Sequence, residues 1–284
     1  MFIIAGVSGH VGSAAADVLL SKGQKIKVIV RDIKKGEKWI QRGAEVAVGS
    51  LEDQAFLTGV LKGANGAFLL LPPNFASVEI LADQKKLGVT IASAVKDAQL
   101  SHVVALSSNG ADQAEGTGPI KGLYHFENAL RASGAKITAI RAGYFMENVG
   151  QAIGAAKAAG IYPNMLPSQD IVMPMVATRD IGQLVAECLI AGPKSEIVDL
   201  TGPGYTVKQL SEKIGKALNK PLKIVDIPQA GWLEALTNGG VPKPWAEQYV
   251  EMYQGMLSGK VTPKGDRTVV GNTQIDMVIA SLLS

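Results

Sequence analysis

The sequence predicts a doubly wound α/β fold: a parallel sheet with helices on both faces, and a smaller, mostly helical C-terminal lobe at the carboxyl ends of its strands. Three observations carry this. Short β-rich runs alternate with segments of helical period through the first half of the chain. The strand runs are continuously apolar rather than alternating, as strands covered on both faces are. A glycine-rich turn joins the first strand to the first helix.

Taken in order, residues 2–5, 26–30, 45–48, 67–71, 102–106 and 136–140 read as strands. Between them, 11–21, 35–42, 54–61, 78–98 and 123–133 carry apolar residues at three- and four-residue intervals and read as helices. Such repetition requires parallel pairing through right-handed crossovers. After Arg141 the rhythm loosens: a helix at 146–159, a Pro/Asn/Met loop at 163–167, a strand at 171–176 and a helix at 179–191. A short strand at 197–200, a helix at 207–218, a strand at 222–227 and helices around 232–236 and 245–257 follow. These pieces are too few and too interleaved for a second independent sheet. The expected organisation is a nucleotide-binding domain over 1–150, to which about 171–202 return, and an interleaved substrate lobe over 151–284.

Composition narrows the class. A 284-residue chain with 47% hydrophobic and 19% charged residues is long enough to bury a substantial core. Its net charge of +3 is spread along the chain without the basic, aromatic-interleaved patch of a nucleic-acid surface, so nucleic acid is not the expected partner. The single cysteine, Cys188, excludes an intramolecular disulfide and a cysteine-rich zinc site, and its apolar helical surroundings place it in the core. The amino terminus begins with a strand rather than a signal peptide, and no apolar run reaches the roughly 18 residues of a membrane helix. A cytoplasmic monomer or homodimer is expected. His10, His102 and His125 lie in different elements and form no legible metal site, and no Gly-x-Ser-x-Gly elbow is present.

The first turn reads Gly6-Val-Ser-Gly9-His-Val-Gly12. Gly6 permits the tight turn, Gly9 lets a pyrophosphate approach the backbone, and Gly12 lets the helix pack on the sheet. Ser8, His10 and Val11 contribute the free amides of the helix start. The second strand ends in Arg31-Asp32, followed by Lys35. A guanidinium at that tip suits the 2′-phosphate of NADP, whereas a leading carboxylate would suit the ribose of NAD, so NADP(H) is expected in preference to NAD(H). Ser50 and Leu51 after the third strand could flank the adenine. Leu71 and Pro72 after the fourth could lie along the nicotinamide half.

The motifs Val30-Arg31-Asp32, Phe68-Leu-Leu-Leu-Pro-Pro73, Ala105-Leu-Ser-Ser108 and Glu127-Asn-Ala-Leu-Arg-Ala-Ser-Gly134 add to the turn. Together with Ile140-Arg-Ala-Gly-Tyr-Phe-Met-Glu-Asn148, Thr178-Arg-Asp-Ile-Gly182 and Leu200-Thr-Gly-Pro203, they resemble the NmrA-like branch of the atypical short-chain dehydrogenase/reductases. The resemblance covers nearly the whole chain. It implies an NADP-preferring Rossmann domain under a small substrate lobe, in a family of quinone and azo-dye reductases and of cofactor-sensing regulators that catalyse nothing. Two positions depart from the family pattern: Ser50 where many relatives carry aspartate, and Leu123 where lysine is common.

In many nicotinamide-dependent reductases a helical tyrosine is followed four residues later by lysine; here Tyr124 is followed by Asn128. Helical spacing puts Lys121, Tyr124, His125 and Asn128 on one face, which either meets water or borders the nicotinamide. On the second reading Tyr124 and His125 are the catalytic candidates. Ser107 and Tyr144 join the cofactor contacts, and Phe75, Asn109, Tyr144, Phe145, Asn148 and Met173 line a pocket for a flat acceptor. Quinone reduction lowers the demand for an acid–base pair, because hydride adds to an activated acceptor while water or a hydrogen-bonding side chain delivers the proton. The expected activity is NADPH-dependent transfer of hydride to a quinone-like small molecule, without metal or flavin. The alternative is a non-catalytic NADP(H)-binding redox sensor or transcriptional co-regulator; an epimerase or dehydratase leans more heavily on the missing pair.

Overall fold

The computed structural model describes residues 1–284. In the first half β1 (Phe2–Ile4), α1 (His10–Ser21), β2 (Ile26–Val30), α2 (Glu37–Ile40), β3 (Glu45–Val48) and α3 (Gln54–Leu61) alternate. They are followed by β4 (Gly66–Leu69), α4 (Ile80–Asp97), β5 (His102–Ser108), α5 (Ile120–Ala132) and β6 (Lys136–Ala142). The second half runs β7 (Tyr144–Phe145), α6 (Val149–Ala159), β8 (Ile161–Asn164), β9 (Met173–Val176), α7 (Thr178–Ala191), β10 (Glu196–Thr201) and β11 (Gly204–Tyr205). It ends with α8 (Val207–Ala217), β12 (Lys223–Asp226), α9 (Trp232–Asn238), α10 (Lys243–Leu257), β13 (Arg267–Val270) and α11 (Ile275–Leu283).

Eight strands form one sheet in the order β13-β10-β6-β5-β4-β1-β2-β3, and every neighbouring pair is parallel. Successive side chains alternate between two cores. Ile4, Val28, Phe68 and Val104 meet α1 and α7 on one face, while Ile3, Ile29, Leu69 and Val103 meet α3, α4 and α5 on the other. Burial on both faces is why these strands are mostly continuous apolar runs. The winding direction reverses between β1 and β4, which opens a crevice at their carboxyl ends.

The smaller lobe has its own core, in which Met146, Ile153, Met175, Leu210, Ile214 and Val278 meet. It contains two short sheets, β11-β9-β7 and β12-β8. Pro163 and Asn164, expected in a loop, lie instead in β8, which pairs in parallel with β12. Proline is compatible with that place because a two-stranded ribbon is all edge. Two elements beyond 257 were not expected: β13 extends the main sheet at its far edge and α11 closes the lobe core. The strand escapes notice because Arg267, Thr268 and Val270 are exposed and only β10 pairs with it.

One buried ion pair braces the centre of the sheet. Arg141 of β6 donates from Nε to Glu127 Oε1 at 2.9 Å and from a terminal nitrogen to Oε2 at 2.8 Å. Ser107 of β5 donates to the same Oε1 at 2.5 Å, and Arg131 donates to Oε2 at 2.5 Å. Glu127 is 0% exposed and Arg141 4%. Satisfying both carboxylate oxygens offsets the desolvation that makes an isolated buried charge untenable. Arg141→Met should therefore cost about 3–5 kcal/mol in urea unfolding, and Glu127→Leu combined with it should recover most of that loss. A single variant as stable as the parent would contradict this account.

His102, at the start of β5, is fully buried with neither ring nitrogen hydrogen-bonded, and burial lowers its pKa below 6.5. The unfolded chain therefore takes up a proton first as pH falls through about 6.5, and folding stability declines from there downward. His102→Leu should flatten that decline between pH 7.5 and 5, by up to about 1.4 kcal/mol per pH unit relative to the parent. Parallel stability–pH curves for the two proteins would remove His102 as the cause.

Candidate functional site

The turn from β1 into α1 is shaped by backbone contact. Gly6 has φ of +69°, a left-handed conformation that favours glycine. A Cβ on Gly12 would lie 2.4 Å from the Gly6 backbone and 2.6 Å from the Ala5 carbonyl oxygen, so α1 reaches the sheet only because residue 12 has no side chain. At Gly9 the situation differs, since a Cβ would meet only the Gly6 oxygen at 3.5 Å. That side is open to an incoming group. No side chain caps α1, no acidic residue sits in its first turn, and the amides of His10, Val11 and Gly12 have no backbone partner. Ser8, Gly9 and His10 are exposed around them. Free donors at a helix amino terminus, with open space before them, are what a pyrophosphate requires.

At the tip of β2, Asp32 is spent on its own backbone, where it accepts from the Lys34 amide at 3.0 Å and caps the short turn Ile33–Lys35. Arg31 and Lys35 are exposed and enter no ion pair or side-chain hydrogen bond. Two free cations beside a carboxylate turned toward its own chain favour an added phosphate over a bare ribose. Ser50 and Leu51 follow β3; the Ser50 hydroxyl accepts from the Glu52 amide at 3.2 Å, and Leu51 leans on the core.

Beyond the turn lies a cavity of about 420 Å³, at the carboxyl ends of β4, β5, β6 and β10. Leu70 joins the two regions, because a Cβ on Gly6 would come within 2.7 Å of its side chain. The floor is Leu71, Ser107, Ser108, Asn109, Gly143 and Tyr144. Asn109 lines the cavity and is 8% exposed; its Oδ1 is buried with no hydrogen-bond partner. Burial first, then neighbouring tyrosines, push the pKa of Tyr144 up to about 12. At neutral pH it is a hydrogen-bond donor.

The structure brings together Leu71, Ser107, Asn109, Tyr144, Phe145, Asn148 and Met173 of the expected residues. The Ser107 hydroxyl is already committed to Glu127. Pro72 is exposed beside Leu71 and is not on the wall, and neither is Phe75, which stacks on Trp245 of α10 at 4.9 Å.

Tyr124 and His125 are not on the wall either. The helix turns Ile120 and Leu123 into the cavity and Glu127 into the sheet, so the i, i+3, i+7 line that faces the site is a different one from the polar stripe. Tyr124 and His125 pack edge to face at 5.2 Å, and His125 is lowered in pKa by burial and by Lys85 of α4. Lys121 is held by Glu251 of α10 at 2.6 Å. Helical phase therefore leaves Tyr124 and His125, expected beside the nicotinamide, off the wall of this cavity.

Sequence reasoning missed the roof. Tyr249, Met252, Tyr253 and Met256 of α10 face the cavity at i, i+3, i+4 and i+7, and that stripe was the available signal. Glu251 on α10 ties the roof to the floor by also accepting from the Gly116 amide at 2.9 Å. No group of three or more His, Cys, Asp or Glu side chains is arranged to hold a metal, and no helix is long and apolar enough to cross a membrane.

Comparison with known proteins gives this geometry a context. An NADPH-dependent quinone oxidoreductase of Escherichia coli, solved in complex with NADPH, superposes with a TM-score of 0.83 over 100% of both chains at 21% identity. Triphenylmethane reductase of Citrobacter sp., complexed with NADP(H), gives 0.84 at 18% identity over 99% of this chain and 100% of that one. Prestalk A differentiation protein A of Dictyostelium discoideum is 23% identical over 223 residues, 75% of this chain and 67% of that protein. At such identities a structural likeness speaks for the fold and not for the reaction. The model of the NmrA-like family matches residues 1–281, and the chain belongs to that family.

Proposed function

We propose that the protein is an NADPH-dependent oxidoreductase that transfers hydride to a quinone or a similarly conjugated small molecule. The observation that carries this is the position of the cavity: it opens beside the phosphate-accepting turn, is largely apolar, and holds two directed polar groups, Asn109 and Tyr144. The quinone and triphenylmethane reductases named above support it as fold relatives.

In this reading the amides of Ser8, His10, Val11 and Gly12 hold the pyrophosphate between Gly6 and α1, Arg31 and Lys35 bind the 2′-phosphate, and Ser50 and Leu51 flank the adenine. Leu71 and Pro72 border the nicotinamide half. NADPH when bound supplies the hydride. The Asn109 side-chain amide, which lines the cavity, hydrogen-bonds the bound molecules, and Tyr144 donates to the acceptor oxygen on which charge develops. Because its proton is held tightly, Tyr144 stabilises and orients rather than cycles, and the second proton of the hydroquinone comes from water. Phe145, Met173 and Met256 exclude solvent around the flat ring. Tyr124 and His125 take no part in this scheme.

A second reading, an NADP(H)-binding sensor without turnover, is favoured by one observation: the α5 wall of the cavity is Ile120 and Leu123, with no acid or base. Following NADPH oxidation with a panel of quinones and azo dyes separates the two. Turnover with at least one acceptor class is expected; tight NADPH binding with no oxidation across the panel would favour the sensor.

Arg31→Ala should cut the preference for NADPH over NADH by about tenfold or more, the worth of a lost charge-assisted hydrogen bond. An unchanged preference would discard the assignment of the 2′-phosphate to Arg31. Tyr144→Phe should raise KM for the acceptor up to about tenfold with the Kd for NADPH unaltered, whereas Tyr124→Phe should leave both within about twofold. The opposite ranking of the two tyrosines would restore Tyr124 to the site.

A further inference from the structure

We propose that an apolar chamber behind the main cavity receives a flexible aliphatic substituent of the acceptor, about five to six carbons long; this rests on the reductase reading above for the head group only. The chamber, about 130 Å³, lies between α6, α8, α9 and α10 and is walled by Ala152, Met165, Leu166, Leu210, Leu236 and Leu257. It is not a separate pocket elsewhere on the molecule. Tyr144, Asn148, Gln151, Met173, Tyr253 and Met256 belong to its lining and to that of the main cavity, so the two share one rim.

The rim and the chamber differ in chemistry. On the rim, Tyr144, Asn148, Gln151 and Tyr253 supply polar groups that keep a polar head on the cavity side. Inside, the Tyr162 hydroxyl is the one side-chain polar group without a partner, and the others away from the rim are engaged. Asn164 donates to the Leu166 carbonyl and to Asp226 and accepts from the Leu166 amide, and the Trp232 indole donates to the Ile227 carbonyl. A water needs two to four polar partners to be held, and apolar cavities of about 150 Å³ stay dry and accept a six-carbon guest. The chamber is close to that size. Its walls are mostly branched aliphatic side chains and methionines, with the rings of Tyr162 and Trp232 among them, and the methionines adapt to an irregular, bending chain. A linear substituent, such as a single prenyl unit or a short alkyl chain, fits these walls.

The test uses the full-length protein and a series of benzoquinones with no substituent, with n-alkyl chains of increasing length, and with a phenyl group. KM is expected to fall about threefold per methylene up to five or six carbons and then level off. Ala152→Phe, which fills the chamber but does not touch the main cavity, should abolish the dependence and leave KM for the unsubstituted quinone unchanged. Should that variant misfold, Leu236→Ala should move the optimum to a longer chain. A non-redox arm uses 1-hexanol, expected to bind saturably and change the fluorescence of Trp232, a response that Trp232→Phe and Ala152→Phe both remove. Turnover with a KM independent of chain length, or a phenyl group preferred over every chain, overturns the proposal. Saturable hexanol binding without any NADPH oxidation overturns the reductase reading while the chamber assignment stands; no hexanol binding overturns the chamber assignment whatever the turnover.

Discussion

The carboxylate of Glu127 is the constraint on which the site depends. It lies inside the protein between β5, β6 and α5, and it binds a hydroxyl from the first and a guanidinium from the second. The residues just beyond those anchors, Asn109 after Ser107 and Tyr144 after Arg141, are the directed polar groups of the cavity. The two strand ends are held side by side by their own backbone pairing, and the carboxylate fixes which line of α5 faces them. It also explains why α5 presents Leu123 to the cavity: with Glu127 held inward, the residue one turn earlier on the same line must point the same way.

Several family motifs have structural work that their composition does not announce. Glu147 of the Phe145-Met-Glu-Asn148 motif accepts from the Thr178 amide at 2.9 Å and from its hydroxyl at 2.5 Å, and so caps α7. Asp180, two residues on, accepts from the amide and hydroxyl of Thr273 and fastens the segment before α11. Gly182 lets α7 lie against α1, since a Cβ there would come within 2.5 Å of the Ala14 Cβ. Gly202 of Leu200-Thr-Gly-Pro203 lets β9 pass, because a Cβ would meet the Met175 carbonyl oxygen at 2.2 Å. These motifs join the small lobe to the sheet, and they hold Tyr144 and Met173 at the mouth of the cavity. Cys188 likewise belongs to the packing, its thiol pushed up to about 11 by burial.

The main sheet was legible because its central strands are buried on both faces and therefore mostly apolar, and because glycines mark the first turn, where backbone must approach backbone. The glycine turn and the exposed Arg31 were legible for the same reason: each is local in sequence. What was not legible depends on distant partners. Glu127 looks like a solvated helix residue until Arg141, 14 residues away, is placed beside it. Tyr124 and His125 look like a site face because nothing local reports which line of α5 the sheet captures. The strands β7, β8, β11 and β13 are short or exposed, and their pairing is set by contacts across the lobe rather than by pattern. The roof carried a readable stripe, Tyr249-Met252-Tyr253-Met256, but a helical stripe does not say whether it covers a core or a cavity.

The central claim is that hydride leaves the cofactor within the cavity floored by Asn109 and Tyr144. Its most direct test is a single-turnover measurement with NADPH carrying deuterium at the transferred position, mixed with excess benzoquinone and a slight excess of protein. The account predicts oxidation of the bound cofactor with a primary isotope effect on the observed rate, retained in Tyr124→Phe and slowed in Tyr144→Phe. Bound NADPH that persists unoxidised in the presence of quinone would contradict it.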